Sequence, residues 1–298
     1  MRLFSNDSIF TVVSRPGPVE RRILDGLLPE IEVHRRVGAG VSLRTLEGGT
    51  GPTVVFLHGR GHAASIWAPI LRAFVNAWRV VAIDLPGFGH SGAPPCDAST
   101  PEEGLSYFVT PVEDFLASLP GVADGLLVVG HSLGGLVALS IALGNRVPIR
   151  GLVLIGAMGL GPTMSVTSRV YLRSSPERIA RFRARLMTSA SARTELDALR
   201  VELLTARGGR PDASRAFDAM VPLVGPVFHV RDRLVEIAAP TLLLWGEHDE
   251  AFPLPLAIDA RARLPHAELT VLRAPHSPHV SDPEAVISRI EPWLSELR

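Results

Sequence analysis

Six short apolar runs constrain the fold of this chain more than any other feature. Each has four or five residues, is rich in Val, Ile and Leu, and is bounded by Gly, Pro, Asp or His. Strands that are apolar on both faces belong in a sheet covered on both sides, which is a mostly parallel sheet. The runs are TVVFL (53–57), RVVAI (79–83), LLVV (126–129), LVLI (152–155), TLLLW (241–245) and LTVL (269–272).

Helix-length segments, such as 100–118 and 133–145, separate most of these runs. Alternation of strands and helices predicts a doubly wound, mostly parallel α/β sheet. The segment IEVHRRVGAGVSLRTLEGG (31–49) instead consists of two runs joined by Gly-Ala-Gly. This arrangement predicts an antiparallel hairpin at the edge of the sheet.

One interval is too long for a single crossover helix, because roughly 80 residues separate the LVLI run from the TLLLW run. We expect an α/β core made of residues 1–157 and 238–298, with a helical lid of residues 158–237 inserted between the two parts. Within the lid we predict one helix with Ser175 as its N-cap and Pro176 at its first position, and a second helix further on. Their apolar faces are Ile179, Phe182 and Leu186 in the first helix, and Leu196, Leu199 and Leu203 in the second.

The charged residues are balanced, since 30 basic and 30 acidic residues give a formal net charge of zero. A balance of this kind gives no basis for nucleic-acid binding, which needs a basic face. Every basic residue is arginine, and eleven arginines lie between residues 169 and 215. They either attract an anionic substrate or form a solvated helical face, and we favour the solvated face.

Targeting signals are also weak. The apolar run Ile9–Val13 is too short for a secretory signal, and no run of 18 apolar residues predicts a membrane-spanning helix. Cys96 is the only cysteine, so the chain has no internal disulfide. We therefore expect a cytoplasmic protein. Its expected partner is a small-molecule substrate, and the sequence leaves its oligomeric state open.

The segment LLVVGHSLGGLVAL (126–139) places Ser132 between an apolar strand and a helix. A serine there is either a turn residue or a nucleophile. A sharp turn from strand to helix holds a nucleophile in a strained conformation, and Gly130 and Gly134 prevent crowding where strand and helix nearly touch. The motif Gly-x-Ser-x-Gly at such a turn therefore indicates a nucleophilic serine.

A serine hydroxyl needs a histidine base and an acid that orients the base. The groups that act on a ligand in this architecture gather beyond the carboxyl ends of the strands. GEHDE follows TLLLW, and RAPHSPH follows LTVL. Asp249 and His276 are the candidates at these two places.

These residues resemble the α/β-hydrolase superfamily, in the branch of lid-bearing serine esterases, lactonases and C–C bond hydrolases. The similarity covers about residues 30–297. By this resemblance Ser132 is the nucleophile, Asp249 the acid and His276 the base, and no cofactor is needed. The motifs are LHGRG (57–61), DLPGFGHS (84–91), GHSLGG (130–135), WGEHDEAFP (245–253) and PHSPHVSDPE (275–284).

The resemblance also implies an oxyanion hole made of two backbone N–H groups. Leu133 follows the nucleophile, and Arg60 follows the His-Gly pair of LHGRG. The Arg60 side chain either reaches a substrate or points to solvent, and we expect it to point to solvent. The family usually has Gly directly before the catalytic histidine, where this chain has Pro275. That departure fixes one φ angle in the loop before the histidine.

Other candidates are weaker. His279 competes with His276 but falls further from the strand, and Glu247 and Glu250 border Asp249. A metal site made of His58, His62 and His90 has no supporting motif, so we expect no metal. Asp84 is expected to stabilise a turn.

The expected reaction is hydrolysis of an ester-like bond in a small or medium hydrophobic substrate through an acyl-enzyme. Hydrolysis of a lactone or thioester, or of a C–C bond in ring-cleavage products, stays open. Against C–C hydrolysis, those enzymes usually have Asn before the serine and Trp after the histidine, where this chain has His131 and Ser277. A hydrolase-like receptor with negligible turnover is the alternative outside the enzyme class.

Overall fold

The computed structural model of the chain describes residues 15–175, 178, 194–208, 210, 212 and 214–298. Its centre is an eight-stranded sheet with the strand order β1-β2-β4-β3-β5-β6-β7-β8. The strands are β1 (Ile31–Gly38), β2 (Val41–Gly48), β3 (Thr53–Leu57), β4 (Arg79–Ile83), β5 (Leu126–His131), β6 (Ile149–Ile155), β7 (Thr241–Gly246) and β8 (Ala267–Leu272).

The sheet is mostly parallel, as the apolar runs predict. Only the β1–β2 and β2–β4 pairs are antiparallel. The predicted edge hairpin is confirmed, with Ala39 and Gly40 at its turn. Both residues have positive φ angles, 47° and 76°, which suit a two-residue hairpin turn.

Helices cover the sheet on both faces. The described helices are α1 (Pro18–Asp25), α2 (Ala68–Phe74), α3 (Pro101–Ala117), α4 (Leu133–Gly144), α5 (Val166–Leu172), α6 (Glu195–Gly208), α7 (Arg215–Val224), α8 (Leu254–Arg263), α9 (Pro278–Ser281) and α10 (Pro283–Ser295). Short 3₁₀ segments occupy Ala64–Trp67, Val122–Asp124 and Arg231–Glu236. None of these described helices has the length and apolar character needed to cross a bilayer.

Alternate residues of the central strands enter two separate cores. Val54 and Phe56 of β3 pack into one core, whereas Val55 and Leu57 pack into the other. All four side chains are fully buried. Burial on both faces explains why the strand is a continuous apolar run, because each face packs against helices.

Helices α5, α6 and α7 lie between β6 and β7, in the interval where we expected an insertion. The second predicted helix is α6, and the three leucines predicted for its apolar face, Leu196, Leu199 and Leu203, are buried. The first predicted helix, with Ile179, Phe182 and Leu186, lies outside the described residues. The boundaries 158 and 237 of a lid stay a prediction.

Several contacts hold the inserted helices against the rest of the molecule, and two of them involve α6 and α7. A Cβ atom on Gly104 of α3 would overlap the carbonyl oxygen of Ala219 in α7, so α3 and α7 approach closely. On the other side, the Glu202 carboxylate of α6 accepts hydrogen bonds from the N–H groups of Val19 and Glu20, each at 2.9 Å. A carboxylate at the start of α1 satisfies amides that have no partner within that helix.

Candidate active site

Ser132 lies at the sharp turn between β5 and α4. Its backbone has φ 52° and ψ −114°, a strained conformation for a residue with a side chain. Hydrogen bonds hold the turn in place: the Ser132 N–H donates to Ile155 O at 3.1 Å, and Ser132 O accepts from Met158 N at 3.0 Å. The serine is 7% exposed. The sequence therefore folds here into the predicted strand, sharp turn and helix.

The two flanking glycines are required by close approach of the backbone. A Cβ atom on Gly134 would overlap the carbonyl oxygen of Leu57, at the end of β3. A Cβ atom on Gly130 would lie 2.5 Å from Gly134 O. The first turn of α4 therefore rests on the end of β3, beside the turn that carries Arg60.

Asp249 and His276 meet beyond the ends of β7 and β8. His276 Nδ1 lies 2.8 Å from Asp249 Oδ2. The other carboxylate oxygen, Oδ1, accepts from the N–H groups of Ala251 at 2.8 Å and Phe252 at 2.9 Å. These bonds fix the carboxylate, which has no exposed side-chain surface, whereas the His276 side chain is 25% exposed. The arrangement can hold an imidazole in one tautomer and orientation.

Gly156 makes this pair possible, and the sequence analysis missed it. The residue directly follows β6 and has φ 48°, and a Cβ atom there would lie 3.0 Å from His276 O and 3.1 Å from both His276 Nδ1 and Asp249 Oδ2. A side chain at this position would push against both partners. The signal in the sequence was the glycine that directly follows the LVLI run.

Ser132 and His276 border one small cavity of about 60 Å³. Arg60 also borders it, so the cavity brings together three of the predicted site residues. No hydrogen bond joins the Ser132 hydroxyl to His276 among the described residues. The remaining lining residues are His62, His131, Ser168, Tyr171, Leu172, Arg200, Ala251 and Phe252.

The two predicted oxyanion residues lie on either side of the close contact between α4 and β3. Leu133 is the first residue of α4, so its N–H has no partner within that helix. Arg60 lies in the turn after β3. The prediction that the Arg60 side chain points to solvent is wrong, because the residue is only 4% exposed.

The Arg60 side chain instead contacts the inserted helices. Its Nη2 donates to Ser174 O at 2.6 Å, just after α5. Its guanidinium carbon lies 4.4 Å from the ring centre of Phe217 in α7 and 5.4 Å from that of Tyr171 in α5. Stacking on aromatic rings and one short hydrogen bond outweigh hydration of the guanidinium, which is weakly hydrated for a cation.

The rival residues have other surroundings. Glu247 and Glu250 are exposed, whereas Asp249 between them is buried. His279 is fully buried, and its ring centre lies 4.5 Å from that of Trp67. Asp84 stabilises the 84–91 turn, as expected, by accepting from the N–H groups of Ala64 at 2.6 Å and His90 at 2.8 Å.

His58 also shapes a turn. Its Nε2 accepts from Leu85 N at 2.9 Å, so Nδ1 carries the hydrogen and donates to Gly59 O at 2.7 Å. Burial lowers the pKa of His58 below its ordinary value. His90 bonds to Glu20 at 2.7 Å. Both ring nitrogens of His58 and Nε2 of His90 therefore bond to protein groups.

His131 also belongs to the site. Its contact with His276 was not predicted from the sequence. Its Nε2 lies 3.2 Å from the carbonyl oxygen of His276, and the two ring centres are 4.9 Å apart. Burial, followed by the charges of His279, His276 and Arg200, lowers the pKa of His131 well below its ordinary value. A neutral ring that donates from Nε2 supports the loop carrying His276.

Comparison with known proteins agrees with this architecture. A sequence profile of the alpha/beta hydrolase family matches residues 54–289. The pimeloyl-[acyl-carrier protein] methyl ester esterase of Vibrio atlanticus is 30% identical over 81% of this chain and 94% of its own length.

Two solved structures are similar along most of their length. A bacterial membrane phospholipase A superposes with a TM-score of 0.73 at 25% identity, over 94% of this chain and 89% of that one. An N-acyl homoserine lactone degrading enzyme superposes with a TM-score of 0.69 at 26% identity, over 87% of this chain and 99% of that one. With the matched profile covering most of the sequence, the predicted resemblance is confirmed, and the chain belongs to the alpha/beta hydrolase family.

Proposed function

We propose that this protein is a serine hydrolase that cleaves carboxylic esters through an acyl-enzyme. The observation that carries the proposal is the Asp249–His276 hydrogen bond of 2.8 Å beside a cavity that Ser132 also borders. A nucleophile on a strained turn, an imidazole and a buried carboxylate are the three groups that acyl transfer needs.

In the acylation step, the Ser132 hydroxyl attacks the ester carbonyl while His276 Nε2 takes the hydroxyl proton. Because Nδ1 of His276 donates its hydrogen to Asp249, Nε2 keeps the lone pair that accepts this proton. The carboxylate also stabilises the imidazolium that forms. We expect the distance between the Ser132 hydroxyl and His276 Nε2 to shorten when substrate fills the cavity. Catalytic hydrogen bonds are often long in the free enzyme and tighten in the substrate complex. His276 then returns the proton to the departing alcohol.

The tetrahedral intermediate carries a negative oxygen that needs donors. The backbone N–H groups of Leu133 and Arg60 are assigned this role, supported by the contact between α4 and the end of β3. One such donor typically contributes about 3–4 kcal/mol to the transition state. In the second step water attacks the acyl-enzyme, with His276 again as the base, and releases the acid.

Residues 158–237 are proposed to form a lid over Ser132. Tyr171 and Leu172 of α5 border the cavity, together with Phe252 from the core, which supports a hydrophobic acyl group. A volume of about 60 Å³ leaves room for only a few water molecules, so a larger acyl chain requires the residues that border the cavity to move apart. The curated relative acts on a methyl ester, and we infer a small or medium ester here.

The test is hydrolysis of p-nitrophenyl acetate, butyrate and octanoate by the purified protein. We expect turnover that is lost in Ser132→Ala and retained in Ser140→Ala, a control serine on α4 whose hydroxyl donates to Leu136 O at 2.7 Å. Undiminished turnover in Ser132→Ala would overturn the proposal. Covalent labelling without turnover would instead favour a hydrolase-like receptor.

A lactone is the second candidate substrate, supported by the similarity to the N-acyl homoserine lactone degrading enzyme. The same triad opens a lactone by the same two steps. The difference from an open-chain ester is that the leaving alcohol stays attached to the acyl group. Hydrolysis of an N-acyl homoserine lactone, compared with an open-chain methyl ester of the same acyl length, separates the two. A higher kcat/KM for the lactone would assign the lactone.

A further inference from the structure

Three histidines lie together behind the cavity: His62 in the turn after β3, His131 at the end of β5 and His279 in α9. They are 4%, 1% and 0% exposed. One imidazole nitrogen of each lies within 4.8 Å of a nitrogen from each of the other two. Residues from three separate segments of the chain therefore converge at one buried point.

Several nitrogens of this cluster have no hydrogen-bond partner among the described residues. These are Nδ1 of His62, Nδ1 of His131 and both ring nitrogens of His279. Buried polar atoms in folded proteins nearly always have a partner, and an unpartnered one costs about 1–3 kcal/mol. The cluster therefore offers nitrogen atoms to something other than the surrounding protein.

Burial disfavours the charged form of all three rings. Burial is the main cause that lowers the pKa of each histidine well below its ordinary value, and the positive charge of Arg200 adds to it. Neutral imidazoles keep a lone pair, which is the form that binds a metal ion.

The surroundings of His131 also favour a ligand at Nδ1. Its Nε2 donates to the backbone oxygen of His276 at 3.2 Å, which leaves the lone pair on Nδ1. Backbone carbonyls commonly fix metal-binding histidines in this way.

We propose that His62, His131 and His279 form a binding site for one transition-metal ion, and that monovalent copper fits it better than zinc. Imidazole nitrogens suit both metals. Bond lengths of about 2.0–2.1 Å place ligand nitrogens about 3.3–3.6 Å apart, so the rings close by up to about 1.5 Å around the ion. His62 and His131 border the cavity, which supplies the route of entry.

Charge decides between the two metals. The cluster contains no carboxylate among the described residues, and Arg200, which pairs with Asp197 at 3.6 Å, lies close by. The cost of burying an ion rises steeply with its charge, and repulsion by Arg200 is twice as large for a divalent ion. A monovalent ion avoids most of this cost.

An ion at this site would lie one ring away from the proposed base, because the ring centres of His131 and His276 are 4.9 Å apart. A cation there opposes the imidazolium that His276 forms during acylation. Bound copper should therefore inhibit ester hydrolysis, a consequence that rests on the proposed function. The proposed binding of copper does not depend on that function.

The test is an anaerobic titration of the whole protein with Cu⁺ against a chromophoric Cu⁺ chelator, and a parallel titration with Zn²⁺. We expect one Cu⁺ per chain and weaker Zn²⁺ binding. His62→Gln and His279→Phe should each reduce Cu⁺ affinity at least 100-fold. The control is His248→Gln, a histidine whose side chain is 66% exposed, which should bind like the unmodified protein.

Two further measurements sharpen the test. Arg200→Gln should raise the affinity for Zn²⁺ about tenfold, because it removes the nearby positive charge. One equivalent of Cu⁺ should slow ester hydrolysis at least tenfold in the unmodified protein, and should leave His62→Gln at its own metal-free rate. No competition with the chelator, or equal Cu⁺ binding by the folded His62→Gln protein, overturns the metal site. Copper binding without any esterase activity overturns only the proposed function.

Discussion

His276 Nδ1 lies 2.8 Å from Asp249 Oδ2, and this carboxylate has no exposed side-chain surface. Neither Glu247 nor Glu250 shares this position, although both border Asp249 in the sequence, since both are exposed. Of these three acidic residues, Asp249 is therefore the one placed to orient the His276 imidazole. Its position depends on the loop after β7, where two backbone N–H groups hold the other oxygen.

Replacement of this acid should abolish most of the activity without unfolding the protein. In Asp249→Asn the amide no longer stabilises the imidazolium and favours the wrong tautomer. We expect kcat to fall roughly 10³- to 10⁴-fold. Ester hydrolysis and circular dichroism measure the two effects. Glu247→Gln is the matched control, and a loss of equal size in that variant would contradict the assignment.

A methyl group on Gly156 should separate the acid from the base. In Gly156→Ala the new Cβ lies 3.0–3.1 Å from atoms of His276 and Asp249, at a φ of 48°. We expect kcat to fall at least tenfold and the free energy of unfolding to fall by about 1–3 kcal/mol. Kinetics and urea denaturation check these values.

The control for that variant is Gly121→Ala. Gly121 has a φ of 77°, but its nearest neighbour would be Asp124 Oδ2 at 3.7 Å, far from the site in the fold. Gly121→Ala therefore has a backbone strain similar to that of Gly156→Ala, without the crowding of His276 and Asp249. Equal losses of kcat in the two variants would show that strain alone, and not contact with the pair, explains the effect.

The Arg60 side chain should position the inserted helices relative to the turn after β3. Arg60→Met keeps the backbone N–H but removes the bond to Ser174 O and the stacking on Phe217. We expect kcat/KM to fall about tenfold, which corresponds to about 1.4 kcal/mol. Arg60→Lys should restore little, because an ammonium lacks the planar shape that stacks on a ring. Full rescue by lysine would mean that only the charge matters.

A buried ionic cluster should govern acid stability. Arg44 Nη1 lies 2.9 Å from Glu20 Oε1 and 3.1 Å from Asp84 Oδ2, and all three side chains are almost completely buried. Burial opposes the charged carboxylates, but Arg44 and His90 outweigh it and hold the pKa of Glu20 and of Asp84 below their ordinary values of 4.5 and 3.8.

Lowered carboxylate pKa values stabilise the folded state at neutral pH, and this stabilisation disappears as the pH falls below about 4.5 and then below 3.8. Arg44→Met leaves two buried acids without their cation, so we expect a loss of about 3–5 kcal/mol at pH 7. That loss should shrink towards pH 3.5. Arg233→Ala, at an exposed pair with Glu236, should change the stability by less than about 1 kcal/mol. Guanidinium denaturation at several pH values measures both, and a constant loss in Arg44→Met across pH would contradict the account.

Much of the fold was predictable from the sequence because its strands are buried on both faces. The runs at 53–57 and 79–83 match β3 and β4 residue for residue. Glycines at a strand-to-helix turn likewise indicated Ser132. These signals are local, since each depends on residues that are neighbours in the chain.

The parts that were missed depend on contacts between distant residues. The pairing of α1 with α6 through Glu202 joins residues more than 180 positions apart. The histidine cluster joins segments around 62, 131 and 279, and the contact of Arg60 with Phe217 depends on how α7 packs. Spacing in the sequence carries no signal for such contacts, because the packing of whole elements decides them.

Covalent trapping of Ser132 tests the central claim most directly. A fluorophosphonate reacts with an activated serine, and mass spectrometry of the intact protein and its peptides counts and locates the adduct. We predict one adduct, on Ser132, that is absent in Ser132→Ala and forms at least 100-fold more slowly in His276→Gln. An adduct of full yield in Ser132→Ala, or on another residue of the unmodified protein, would contradict the account.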